Sequence, residues 1–132
     1  MGPLGKNKKL KVLLIDDDIF FRKLYRDKMT RAGYLFIEAI NGIEGLHKVI
    51  SDEPDLVLLD LMLPRKNGFD VLKEIKTNTT TKHIPVIILS SLGQESDLKE
   101  GMALGAEDYF VKGEVCLSDV VEKVNYILSK KK

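Results

Sequence analysis

The chain has 132 residues, the size of one ordinary domain. Its 44% hydrophobic and 31% charged residues and its formal charge of +1 suit a buried core, which excludes wholesale disorder and a strongly basic nucleic-acid binder. One cysteine, Cys116, excludes an internal disulfide or multi-cysteine metal site, and no apolar run approaches the roughly 18 residues of a membrane span.

Residues 1–9 are polar, basic and Gly-containing; they read as a disordered lead-in or expression scar without the apolar stretch of a signal peptide. Residues 130–132 read as a basic tail, leaving one domain over 10–129 and a soluble, cytoplasmic location.

The run Lys11 to Ile15 is too short for a helix and predicts a buried strand. Phe20, Phe21, Leu24, Tyr25 and Met29 then recur at helical spacing, with Asp18 placed to cap the helix and Gly33 to stop it. Tyr34 to Ala39 predicts a second strand, and Asn41 caps a helix carrying Ile43, Leu46, Val49 and Ile50. Leu56 to Leu59 is continuous in its hydrophobicity, as a strand covered on both faces would be. A helix with Phe69, Val71, Leu72 and Ile75 follows Pro64 and Gly68, then a strand from Ile84 to Leu89. Leu98, Met102 and Leu104 mark a helix ending at Gly105, and Tyr109 to Val111 a fifth strand. Cys116 opens the last helix, which carries Val120, Val121, Val124, Ile127 and Leu128. The helical apolar stripes are read as core. His47 and His83, each far from any other ligand type, are read as surface histidines.

Five strands alternating with five helices predict an α/β fold: a parallel sheet, doubly wound, with helices on both faces. In such sheets ligands bind beyond the carboxyl ends of the strands. Standing there are Asp16, Asp17 and Asp18 after strand one, Asp60 after strand three, Ser90 and Ser91 after strand four, and Lys112 after strand five. Each has an ordinary explanation: a helix cap for Asp18 or the serines, a loop acid for Asp60, a surface lysine for Lys112. Together they are harder to dismiss. Two unit charges ~4 Å apart repel by about 4 kcal/mol at an effective dielectric of 20, so gathered carboxylates call for a cation, and hard oxygen ligands favour Mg²⁺ or Mn²⁺. A divalent ion with open positions can bind phosphoryl oxygens, a neighbouring carboxylate can take up the phosphoryl group, and lysine and a hydroxyl can hold its oxygens. The pattern predicts phosphorylation of an aspartate.

Four segments carry a resemblance: Val12-Leu13-Leu14-Ile15-Asp16-Asp17-Asp18, Pro54-Asp55-Leu56-Val57-Leu58-Leu59-Asp60-Leu61-Met62-Leu63-Pro64, Pro85-Val86-Ile87-Ile88-Leu89-Ser90-Ser91 and Gly105-Ala106-Glu107-Asp108-Tyr109-Phe110-Val111-Lys112. In this order, with Ser90 30 and Lys112 52 residues beyond Asp60, the chain resembles the receiver domain of two-component response regulators from about Lys9 to Leu128. The resemblance implies a flavodoxin-like fold of strand order 2-1-3-4-5. It implies Asp60 as phosphoacceptor, with a histidine kinase or histidine phosphotransfer protein as donor. Asp17 would ligate Mg²⁺ directly, Asp16 through water, Asp60 as well, and Met62 through its backbone carbonyl. Lys112 and Ser90 would contact the phosphoryl group, with Ser90 and Tyr109 as the switch that biases the surface of helix four, strand five and helix five towards an unknown output partner or a phosphorylation-dependent homodimer. An exposed aromatic at a strand edge is also ordinary packing, and for Tyr109 the switch is the favoured reading of the two.

Two departures stand out. Gly113 follows the lysine where the family usually has a proline joined by a cis peptide; a non-proline cis bond costs ~2.5–4 kcal/mol, so the Lys112–Gly113 bond is expected to be trans and its loop more mobile. Ser91 replaces a common alanine and should leave the pocket open. The resemblance implies that the residues two beyond Asp60 and Ser90 flank the route of the hydrolytic water; here they are Met62 and Leu92, both apolar and unable to orient it, which predicts a long-lived phosphate. A phosphatase with an aspartate nucleophile would need a second acid at Met62, and a degenerate receiver would lack one of the five competent positions. The expectation is therefore a signalling module rather than a turnover enzyme, either stand-alone or part of a longer regulator.

Overall fold

A computed structural model describes residues 9–130. The predicted lead-in up to Lys8 and the last two residues of the predicted tail lie outside the described residues. Five strands and five helices alternate: β1 (Lys11–Ile15), α1 (Ile19–Arg31), β2 (Leu35–Ala39), α2 (Gly42–Asp52), β3 (Leu56–Leu59), α3 (Gly68–Thr77), β4 (Val86–Ser90), α4 (Glu95–Ala103), β5 (Asp108–Val111) and α5 (Leu117–Ser129). All strand pairs are parallel, in the order β2-β1-β3-β4-β5.

The continuous apolar strands are explained by helices on both faces of the sheet. Side chains alternate along each strand. Val12, Leu14, Leu56, Leu58, Ile87 and Leu89 therefore meet Tyr25 and Met29 of α1 and Val120, Val124 and Leu128 of α5. Leu13, Ile15, Val57, Leu59, Val86 and Ile88 meet Val49 of α2, Val71, Leu72 and Ile75 of α3, and Tyr109. Full burial of each such aliphatic side chain contributes about 1.5–3 kcal/mol, so these two layers dominate the stability of the fold.

Helix starts follow local chemistry. The Asp18 carboxylate accepts from the amides of Phe20 and Phe21 at 2.9 and 3.2 Å, as its capping position predicts. Asn41 accepts from Glu44 N–H at 2.8 Å, and the Glu44 side chain accepts from Ile40 N–H at 2.7 Å. Asn67 accepts from Asp70 N–H at 3.1 Å and starts α3. Gln94 occupies the cap position of α4, so Ser90 and Ser91 do not serve there. Gly33, at φ +99°, ends the turn after α1 in a backbone conformation that favours glycine.

Several expectations need correction. Tyr34 lies before β2, its hydroxyl donating to Asn125; Ile84 lies before β4; and Ser90 is the last residue of β4 rather than the first after it. Phe20 and Leu24 are 78% and 51% exposed, and Ile43, Ile50 and Met102 are also exposed, so these members of the helical stripes are not core. On α1 two apolar stripes lie side by side, and only the one with Phe21, Tyr25 and Met29 packs on the sheet. His47 and His83 are exposed, as expected. There are no cis peptide bonds among the described residues, so the Lys112–Gly113 bond is trans.

Candidate functional site

The parallel ladder carries the predicted residues to one edge. Backbone bonds continue past the strands: Asp16 N–H donates to Ala39 at 3.0 Å, Asp60 N–H to Ile15 at 3.0 Å, and Lys112 N–H to Ser90 at 2.9 Å. Each strand is thus extended by one paired residue, and the side chains of Asp16, Asp60 and Lys112 converge from β1, β3 and β5.

One carboxylate oxygen from each of Asp16, Asp17 and Asp60 lies within 4.8 Å of the others. Asp16 is fully buried, Asp60 nearly so, and Asp17 is exposed. Lys112 Nζ stands 2.7 Å from Asp16 Oδ2 and 3.1 Å from Asp60 Oδ2. Asp16 Oδ1 accepts from Asp18 N–H at 2.9 Å, and Asp60 Oδ1 accepts from Met62 N–H at 3.1 Å. Burial raises the Asp16 carboxyl above its ordinary value, opposed by Lys112 and the Asp18 amide and reinforced by the charge of Asp60. For Lys112, burial pushes the ammonium down, but Asp16 and Asp60 outweigh it and the net shift is upward.

The donor set suits a hard divalent cation. Three carboxylates face one ammonium, which leaves negative charge in excess. Asp16 Oδ2 is buried and has no neutral hydrogen-bond donor among the described residues; its charged neighbour is the Lys112 ammonium at 2.7 Å, which it shares with Asp60. One ammonium shared between two buried carboxylates leaves their charge incompletely compensated, and a cation among three oxygens would relieve it.

The remaining predicted residues form a second row. Ser90 is fully buried, and its Oγ accepts from Leu92 N–H at 3.3 Å. The Leu92 carbonyl accepts from the Tyr109 hydroxyl at 2.6 Å. Tyr109 is buried rather than exposed, packs beside Gly101, and does not join the carboxylate cluster. Burial, with smaller contributions from Asp97 and Asp60, pushes its hydroxyl up to about 12. Met62 is 55% exposed, and its Sδ lies 3.5 Å from Ser91 Oγ. Cys116 is exposed and makes no side-chain cap bond.

Sequence reasoning missed four residues here. The Phe21 ring lies under Lys112 Nζ, 4.2 Å from ring centre to nitrogen. Arg22 donates to the Asp16 carbonyl at 3.0 Å, and both Arg22 and Arg26 pair with Glu38 of β2. Phe21 carries only the signal of an apolar helical position. The single local clue to the others is that Arg22 and Arg26 share a helix face at i, i+4.

The family profile described as the response regulator receiver domain matches residues 12–125. The chain is 39% identical over 102 residues to the DNA-binding dual master transcriptional regulator RpaA of Synechocystis, a match that covers 77% of this chain and 42% of that protein. The chain thus spans less than half the length of such curated relatives. Among solved structures, the Francisella response regulator 1452 receiver domain superposes with a TM-score of 0.86 at 28% identity, covering 94% of this chain and all of that one. The Mn²⁺-bound form of response regulator Rcp1 superposes with a TM-score of 0.77 at 29% identity, covering 91% and 92% of the two chains.

Proposed function

Since the chain belongs to the response regulator receiver family, we propose that residues 10–129 form a phosphorylatable switch whose acceptor is Asp60. The observation that carries this reading is the meeting of Asp16, Asp17 and Asp60 within 4.8 Å, with Lys112 beside two of them.

Asp16, Asp17 and Asp60 would hold Mg²⁺ or Mn²⁺, joined by the Met62 carbonyl; when bound, the ion neutralises charge on the phosphoryl oxygens. The Asp60 carboxylate attacks phosphorus of a phosphohistidine on a histidine kinase or phosphotransfer protein, the P–N bond breaks, and the imidazole leaves with its electron pair. Two groups support the nucleophile: the Met62 amide fixes Oδ1, and Lys112, paired with Oδ2, is placed to follow the charge onto the phosphoryl oxygens. Ser90 Oγ donates its hydroxyl proton to the phosphoryl group and keeps accepting from the Leu92 amide. That bond links the acceptor to Leu92, and Leu92 to Tyr109, so the phosphate biases the α4-β5-α5 surface between two states. The output partner, or a second copy of the chain, would read that surface.

This is a signalling role rather than turnover of a diffusing substrate, in a protein expected to work in the cytoplasm. No helix of the described residues is long and apolar enough to cross a membrane. Intact-mass measurement after treatment with acetyl phosphate and Mg²⁺ tests the reading. The wild type should gain one phosphoryl group that Asp60→Asn does not; equal labelling of both would overturn the assignment.

A further inference from the structure

Lys112 is held at both ends: its backbone N–H donates to the Ser90 carbonyl at 2.9 Å, while the long side chain between root and tip depends on what its ammonium meets. The residue after it, Gly113, is exposed, and nothing lies within 4 Å of the place where a side chain would sit, so packing does not fix this loop on that side. At the other end, Nζ touches three electron-rich groups: Asp16 Oδ2 at 2.7 Å, Asp60 Oδ2 at 3.1 Å and the face of Phe21 at 4.2 Å. Phe21 is itself braced. Its ring packs against buried Tyr25 with centres 4.8 Å apart, and the next residue, Arg22, ties α1 to the Asp16 carbonyl at 3.0 Å.

We propose that Phe21 is a positioning residue for Lys112, its ring face holding the ammonium at the acceptor carboxylate. An ammonium over an aromatic face is attracted by the ring quadrupole, more strongly where water is excluded. The Lys112 side chain is only 18% exposed. The ring matters most once a cation is bound. A divalent ion among Asp16, Asp17 and Asp60 competes for both anionic partners of Lys112, and the ring is the partner left uncontested. Without it the ammonium regains solvent and rotamer freedom and meets the phosphoryl oxygens less often.

The proposal rests on the receiver reading of Asp60, and its test separates the two. Beryllofluoride affinity is measured at saturating Mg²⁺ for wild type, Phe21→Leu and Phe21→Tyr. In the same proteins, without metal, NMR records the ε-methylene protons of Lys112, which a ring face shifts upfield. The leucine variant should bind beryllofluoride about three- to ten-fold more weakly and lose the upfield shift. The tyrosine variant should restore both. Unchanged affinity in Phe21→Leu, failure of Phe21→Tyr to restore it, or ordinary ε-methylene shifts in the wild type would each overturn the role of Phe21; the last needs no variant. A wild type that takes up no beryllofluoride would instead overturn the receiver reading and leave the lysine–ring contact to be decided by the NMR shifts.

Discussion

The hydroxyl of Tyr109 reaches across from β5 to donate to the backbone carbonyl of Leu92, 17 residues earlier, at 2.6 Å. Leu92 in turn donates to Ser90, so one short chain of bonds runs from the ring to the edge of the acceptor site. Tyr109→Phe removes the first link and leaves the carbonyl short of a donor, which should cost about 1 kcal/mol in urea unfolding. The sign of the pH dependence also follows. The hydroxyl is held up to about 12 in the folded state against an ordinary value of 10. Its contribution is therefore full below pH 10 and lost as pH rises towards 12, a loss Tyr109→Phe should not show.

Phosphate lifetime should depend on Met62. Its side chain is exposed, lies beside Ser91, and offers water no strong acceptor. Met62→Asn should speed decay of the Asp60 phosphate on the order of ten-fold, less than the ~100-fold or more of a true general base. Loss of radiolabel over time measures it, and equal decay would discard the link to this position.

Cation binding should stabilise the fold and require Asp17. This carboxylate is exposed, so Asp17→Asn should fold as well as the wild type. Mg²⁺ at ~100 times its dissociation constant should raise wild-type stability by about 2.7 kcal/mol. The variant should show little of that rise at the same concentration, read from thermal unfolding with and without a chelator.

Glu38 should matter near neutral pH and not in acid. Its hydrogen bond with Arg26, with the charges of Arg26 and Arg22 and against some burial cost, holds its carboxyl below the ordinary value of 4.5. A depressed folded-state value stabilises above pH 4.5 and fades as pH falls through the lower, folded one. Glu38→Gln should therefore be less stable than wild type at pH 7, with the gap closing in acid. A gap that stays constant with pH would assign the loss to packing.

Gly68 should not accept a side chain. A Cβ there would lie 2.4 Å from the Asp60 carbonyl oxygen and 2.5 Å from Leu61 Cα, both backbone atoms. Gly68→Ala should cost about 1–3 kcal/mol in denaturant unfolding and displace the acceptor segment. An unperturbed midpoint would mean that the loop yields freely.

Local chemistry made much of this molecule legible from sequence. The strands β1 and β3, the caps Asp18 and Asn41, and the acids after β1 and β3 depend on neighbours a few residues away: apolar runs of strand length, side chains able to bond a free amide, charges at the end of a buried segment. Other features depend on residues distant in the chain. Phe20 with Leu24 and Phe21 with Tyr25 have the same helical spacing, and only contact with the sheet and α5 decides which pair is buried. Ser90 belongs to β4 because β5 pairs with it. Phe21 meets Lys112, and Tyr109 meets Leu92, because parallel strands bring distant segments to one edge. Periodicity records that a side chain is apolar; the tertiary fold alone supplies the surface that covers it and the charge that stands above it.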